Sequence, residues 1–464
     1  MPPMGTSTHA EAEINGAGMT VKPEQKAKAD PIEHGTGAAA KLQSFILRWD
    51  VLIVVFSVVP MVGFTAMQPY KLTRQGELEC GALCVGSMTS VSSALGLVGA
   101  PMIGALSDQQ GRKVALALGC AMSIVSYLVL AFSNSLIGLW IALIPPALLS
   151  HNFTVTKAIV ADLAPPKERA GILGRLGLAV GLGFMAGPVV APFVSTYREA
   201  ALFAVGLEML SLIAIRLLPD SEQSAEEKEQ HSASHVFENI ASAIKEVIVL
   251  AFAAPPSARV ILFVRFGLSM GFHVFYTVMN VILRERFEFQ PNDYSVWFAF
   301  IGGVYATSQL FAKMVIDRFG DNPTKLVIGC LCCIAVGRYV TAVAGSMPVL
   351  YVSSSLTIMA LGVLNTSIST TVTRIASHDN VGGLMGVLDT AEKLAGVCGP
   401  TLGGALYASH QFAPVVAVIA AYITMGATVW LAYPRFVLPA MDKGNRAHNQ
   451  TASADTKADK SKSE

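Results

Sequence analysis

The chain has 464 residues, of which 53% are hydrophobic and only 14% charged, with a mean hydropathy of +0.53 and a formal net charge of +1. A soluble globular domain is about a quarter charged, so this composition excludes one and places the chain in the membrane class. The near-neutral balance also excludes partners recognised through a massed charge, nucleic acid first among them.

Residues 1–48 are polar, rich in Ala, Gly, Lys and Glu, and lack an apolar core. This excludes a cleavable signal peptide and predicts a disordered cytosolic tail. Twelve apolar runs follow, near 51–70, 82–106, 114–133, 136–161, 171–195, 200–218, 260–283, 294–316, 326–345, 348–372, 382–407 and 412–433. A helical span needs about 20 apolar residues, so each run is long enough to cross a bilayer. Most joins are short, but residues 219–257 turn charged and divide the runs six and six. Within that linker Val236, Phe237, Ile240, Ile244, Val247 and Ile248 recur at helical spacing, which predicts an amphipathic interfacial helix or a simple tether. The expected fold class is therefore an all-α membrane protein of twelve transmembrane helices. Its halves are residues 49–218 and 258–434, and a second disordered cytosolic tail occupies 435–464.

Alternate joins differ in charge. Lys71, Arg74, Arg198, Arg284 and Arg286 fall on one side, whereas Arg112, Lys113, Lys167, Arg169, Lys228, Lys245, Arg259, Arg318, Lys325 and Arg374 fall on the other with the tails. The positive-inside rule then puts both termini in the cytosol. The plasma membrane and the endomembranes are not distinguished, because neither end carries a retention or lipidation motif. The seven cysteines lie almost entirely in apolar runs and predict no disulfide framework and no metal site, since neither Cys80/Cys84 nor Cys332/Cys333 has the usual zinc-ligand spacing. No cofactor is implied: phosphate-binding Gly-Lys-Ser/Thr loops, His-Glu-x-x-His helices and Gly-x-Ser-x-Gly elbows are all lacking, which argues against an enzyme.

The two halves repeat. Gly174 to Gly187-Pro188 in run 5 has the same spacing as Gly386 to Gly399-Pro400 in run 11, and Gly104-Ala-Leu-Ser-Asp108-Gln-Gln-Gly111 is echoed by Asp317-Arg318-Phe319-Gly320. Duplicated transmembrane halves commonly frame a central site reached alternately from either side. The segment from Gly104 through Asp108, Gly111, Arg112 and Lys113 closely resembles the cytosolic loop signature of the major facilitator superfamily, with Gln109 where a base is usual. The run Gly174-x8-Gly183-x3-Gly187-Pro188 resembles the signature of its proton-coupled drug antiporters, with Ala191-Pro192 in place of the final Gly-Gly. The segment Val160 to Leu178 resembles the organic cation transporter-like proteins of animals, relatives of the bacterial tetracycline antiporters; Leu143 stands where drug antiporters usually carry an arginine. The likeness spans roughly residues 50–434 and implies the major facilitator fold.

It also implies a gate. Asp108 can accept hydrogen bonds from a helix N-terminus and Arg112 can bridge to Asp162, a latch that in the family holds the outward-open state; loop charges that only fix topology are the alternative. Gly183, Gly187, Pro188, Gly399 and Pro400 suit either bending spans or small-residue packing. Ionisable groups inside a membrane are costly and therefore candidates for function. Asp389 and Lys393 of run 11 can pair one turn apart, leaving Glu392 for protons or a cation. His151 in run 4 suits a wet cavity or a hydrogen-bonded packing role. Arg265 and Arg338 can balance buried acids such as Glu208 or bind an anion, and Asn365 belongs to a polar, uncharged run 10. The resulting expectation is a monomeric secondary active transporter, exchanging an organic cation or drug-like compound for protons. The alternatives are proton-coupled uptake or facilitation of an organic anion or metabolite, or a non-transporting receptor or scaffold on the same fold.

Overall fold

The computed structural model describes residues 49–163, 166–218, 255–320, 323–375 and 381–443, together with Ser242, Lys245 and Val249 of the linker. The expected tail 1–48, residues 444–464 of the expected tail 435–464, and the apolar positions of the linker helix lie outside the described residues; Ser242, Lys245 and Val249 are helical and exposed.

Among the described residues the chain is helical and contains no strand. In the N-terminal half the helices are α1 (Trp49–Glu77), α2 (Ala82–Gln110), α3 (Arg112–Phe132), α4 (Leu136–Leu149), α5 (Asn152–Leu163), α6 (Pro166–Val190) and α7 (Tyr197–Leu217). The C-terminal half has α8 (Pro256–Phe287), α9 (Pro291–Phe319), α10 (Pro323–Val343), α11 (Met347–Ile375), α12 (Val381–Ser409) and α13 (Ala413–Ala432). α4 and α5 together make the fourth span, so the thirteen helices form twelve spans. Among the described residues, ten of the twelve spans contain a stretch long and apolar enough to cross a bilayer on length and composition. The other two are the α6 and α12 spans, where the Gly-Pro repeat lies and where α12 carries Asp389, Glu392 and Lys393. Large apolar side chains such as Phe193, Leu310, Val352 and Trp430 are exposed around the outside, as a lipid-facing surface requires.

Both described ends reach the same face, here the terminal face; the loops at 78–81, 194–196, 288–290 and 410–412 lie on the far face. The last span does not stop at residue 434. A single π-helical turn over Tyr433–Val437 carries the helix on to Lys443, with Tyr433, Val437 and Met441 buried against the C-terminal core. Part of the segment expected to be a tail is thus folded because it supplies core side chains.

The fourth span breaks for a local reason. Pro145 and Pro146 lack an N–H, so the carbonyls of Ile141 and Ala142 lose their helical donors. Ser126 Oγ of α3 donates to the Ala142 carbonyl at 2.6 Å and replaces the bond lost at Pro146. One turn later the ladder ends at Ser150, whose φ of −98° and ψ of 67° leave the helix, and Asn152 starts α5.

Each half has its own buried clusters. In the N-terminal half one forms around Leu52, Phe56, Leu116 and Leu176 and another around Tyr70, Met88, Leu139 and Ala204; the C-terminal half centres on Ile261, Val327, Leu364 and Val429. The halves meet chiefly along α2 against α12 and α6 against α9, two pairs related by the repeat.

Candidate functional site

The seam between α2 and α12 is made of backbone. A side chain on Gly86 would run into the Pro400 carbonyl, and one on Gly404 would run into the Ala82 carbonyl. The amide of Thr401, next after Pro400, donates to Ser90 Oγ across the seam at 3.1 Å. Nearer the far face, Arg284 Nη2 at the end of α8 donates to the Cys80 carbonyl at 3.1 Å, and Leu72 of α1 packs into the C-terminal aromatic cluster. These contacts all lie toward the far face, so the structure is a state closed on that side. Cys80 and Cys84 form a disulfide at the start of α2, with Cα atoms 5.3 Å apart. This corrects the expectation of no disulfide: one helical turn brings two cysteines within the usual Cα separation, a pairing that a search for zinc spacing overlooks.

On the terminal face, Arg112 Nε donates to Asp162 at 2.8 Å, while its Nη1 reaches Asp108 and also Ser107 at 3.0 Å. The predicted trio is therefore assembled, joining the α2–α3 turn to the end of α5. Gly111 fits that turn because its φ is +100°, whereas Gly104 faces open space. Lys113 follows in the first turn of α3, half-buried. Gly183 and Gly187 of α6 lie against Met61 and Thr65 of α1, and Thr65 Oγ1 donates to the Gly183 carbonyl at 3.1 Å. In the other half Gly399 lies against His273 of α8. The repeated Gly-Pro motif thus builds the same close crossing twice, with Pro188 and Pro400 each one residue beyond the contact glycine.

The membrane-buried charges are placed differently from the expectation. Asp389 and Lys393 are exposed, and among the described residues no ion pair joins them. Glu392 turns instead to Arg265 of α8: the guanidinium bonds Glu392 through Nη2 and Asn365 of α11 through Nη1, the latter at 3.0 Å. Three residues singled out separately in the sequence meet at one point, tying the seventh, tenth and eleventh spans. The Glu392 side chain is 44% exposed and that of Arg265 18%, so the pair has access to a proton or a solute. Arg265 and Arg338 do not balance Glu208. Arg338 is buried on α10 with its guanidinium 4.0 Å over the Phe275 ring, a cation–π contact in place of an acid. His151 sits at the break in the fourth span, its Nε2 2.9 Å from the Ala147 carbonyl and its ring against Gly99 of α2, which is the packing role.

Sequence reasoning missed a cavity of about 380 Å³ inside the N-terminal half, lined by α1, α3, the broken fourth span and α7. Its polar groups include Lys71, Ser123, Asn152 and Glu208, and its apolar wall includes Phe56, Phe64, Leu143 and Phe153. Val180 also lines it and holds the repeat position of Glu392, counting from Gly174 and Gly386. The C-terminal half thus places an ion pair at the repeat position where the N-terminal half is hollow. The one signal in the sequence was Glu208 itself, an acid inside a span.

Comparison with known proteins places this geometry. The Major Facilitator Superfamily profile matches residues 45–290 and 261–459. Solute carrier family 67 member A1 of Homo sapiens is 24% identical over 369 residues, covering 77% of this chain and 83% of that protein. The class D tetracycline resistance protein of Salmonella ordonez is 25% identical over 371 residues, covering 78% and 90%. Among solved structures, that of the human organic anion transporter MFSD10 (TETRAN) superposes with a TM-score of 0.60 at 21% identity, covering 82% of this chain and 98% of that one. The resemblance read from the loop signature and the Gly-Pro repeat holds: the chain belongs to the Major Facilitator Superfamily and is a multi-pass membrane transporter of small molecules rather than an enzyme.

Proposed function

We propose that the protein works by alternating access as a secondary active antiporter, exchanging an organic cation or drug-like compound for protons, with the Arg265–Glu392 pair as the coupling element. The observation that carries this reading is the ion pair itself: a carboxylate and a guanidinium, part-exposed, bridging two spans of a membrane protein and steadied by Asn365. Protonation of Glu392 removes the charge that Arg265 answers and frees α8 to move against α12; loss of the proton restores the pair. Arg112, Asp108 and Asp162, all of the N-terminal half and joined here in a far-closed state, serve to tie the α2–α3 turn to α5 on the terminal face rather than to hold the outward-open state. The glycine contacts of α6 and α12, each followed by a proline, serve as the points where the spans flex. Relatives named for tetracycline and multidrug resistance support the drug-like substrate class.

The terminal face is assigned to the cytosol. The far face carries few basic residues, and its Cys80–Cys84 disulfide suits an oxidising compartment. A monomer suffices, since both halves of the seam come from one chain.

The test is uptake of labelled organic cations and anions into proteoliposomes under an imposed pH gradient of either sign. Gradient-driven cation accumulation that Glu392→Gln abolishes supports the reading; accumulation that persists in the variant removes Glu392 from coupling. A second reading has one observation behind it. Arg265 would be left as a free cation once Glu392 is protonated, and a structural relative is named an organic anion transporter. Under that reading replacing Arg265 and Arg338 together abolishes anion transport alone.

A further inference from the structure

The cavity of the N-terminal half plays no part in the coupling described above, yet it is built around a buried acid with an unpartnered oxygen. Glu208 is only 4% exposed and its Oε2 has no hydrogen-bond partner; Cys120 and Ser123, both neutral, are the donors that reach its carboxyl group. Asn152 Oδ1 is also buried and without a partner, but it packs against Gly119 of α3, while Asn152 Nδ2 donates to Cys120 Sγ at 3.6 Å. Lys71 is the cationic residue lining the cavity, and among the described residues no ion pair joins it to Glu208. Carboxyl groups are expensive to hold out of water, and buried acceptors are nearly always satisfied, so an unpaired carboxyl oxygen on the wall of a hollow calls for an occupant that brings positive charge. The remaining wall, with Phe56, Phe64, Leu143 and Phe153, suits a flat apolar body. At about 380 Å³ the space lies within the range of small-molecule sites, roughly 300–1,000 Å³.

We propose that this cavity is a binding site for one aromatic organic cation, with Glu208 as its counter-charge. Lys71 lies nearer the far face than Glu208 and repels the charged end, so the cation is oriented with its charge on the α3–α7 side. The assignment deepens the transport reading and rests on it, naming the substrate class and placing it in the N-terminal half, away from the Arg265–Glu392 pair.

The probe is tritiated 1-methyl-4-phenylpyridinium, binding to the full-length protein in nanodiscs, with biphenyl-4-carboxylate as a competitor of the same shape and opposite charge. Wild-type protein is expected to bind the cation and to ignore the anion. Glu208→Gln should weaken binding by about tenfold to a hundredfold, the range for losing a hydrogen bond to a charged group. Leu143→Trp, which keeps Glu208 and fills the hollow, should also weaken it. Binding of the cation that is unchanged in both variants overturns the site and leaves the transport reading in place. A wild-type protein that binds the anion and not the cation overturns the substrate class itself.

Discussion

The seam between α2 and α12 makes the far-closed state sensitive to a single added side chain. In Gly86→Val the added Cβ would sit 2.9 Å from the Pro400 carbonyl carbon and 3.3 Å from Thr401 Cα, with the carbonyl oxygen closer still. All three are backbone atoms of a helix and cannot rotate away, so relief requires α2 and α12 to separate by roughly 1 Å, which forfeits a quarter to a half of the dispersion attraction of the atoms concerned. Overpacking of this kind costs about 1–3 kcal/mol. The cost falls on the far-closed state, because the seam parts when that side opens. The far-closed to far-open ratio should therefore drop by about fivefold to 150-fold. Spin labels at Glu79 and Gln290, installed as non-canonical amino acids and read by double electron–electron resonance, report the separation of the halves on that face. A Gly86→Val distance distribution identical to that of the wild type would show that the seam does not set the equilibrium.

Glu392→Gln leaves Arg265 with Asn365 as its remaining partner; pH-driven uptake in proteoliposomes should fall by about tenfold or more, while passive exchange of substrate falls less. Arg284→Ala removes the donor to the Cys80 carbonyl, and the same spin-label pair should show a shift toward the open state comparable to that of Gly86→Val, since one hydrogen bond to a charged group contributes about 1.5–3 kcal/mol. Ser126→Ala strips the Ala142 carbonyl of its substitute donor beside Pro146; a loss of about 1–3 kcal/mol should appear as lower thermal stability in detergent, with no change in the spin-label distances.

The spans, the six-and-six division and the Gly-Pro repeat were readable because each depends on residues close together in sequence. The latch was readable for a different reason: Arg112 and Asp162 are 50 residues apart, but a family signature carried the association. The Arg265–Glu392 pair had no such guide. Its partners are 127 residues apart, and the local rule of pairing at one turn favoured Asp389 with Lys393, which the packing of α12 leaves exposed instead. The cavity was illegible because a hollow is a property of six spans at once; only Glu208, an acid in the middle of α7, pointed toward it. The folded stretch beyond residue 434 was hidden by Pro434 and Arg435, which read as a helix stop and are absorbed by a π-helical turn.

The break at Ser150 and His151 divides the fourth span into two rods of unequal attachment. Both rods wall the cavity, but the far rod, α4, is stitched to α3 by Ser126, whereas the near rod, α5, reaches Asp162 in the grip of Arg112. A straight helix would transmit every tilt of the latch to the cavity wall with full leverage. A jointed one behaves as a knee, so movement at the terminal face can be taken up over a few peptide bonds, and the part of the cavity wall that α4 supplies can hold its place while the part on α5 follows the charges beneath it.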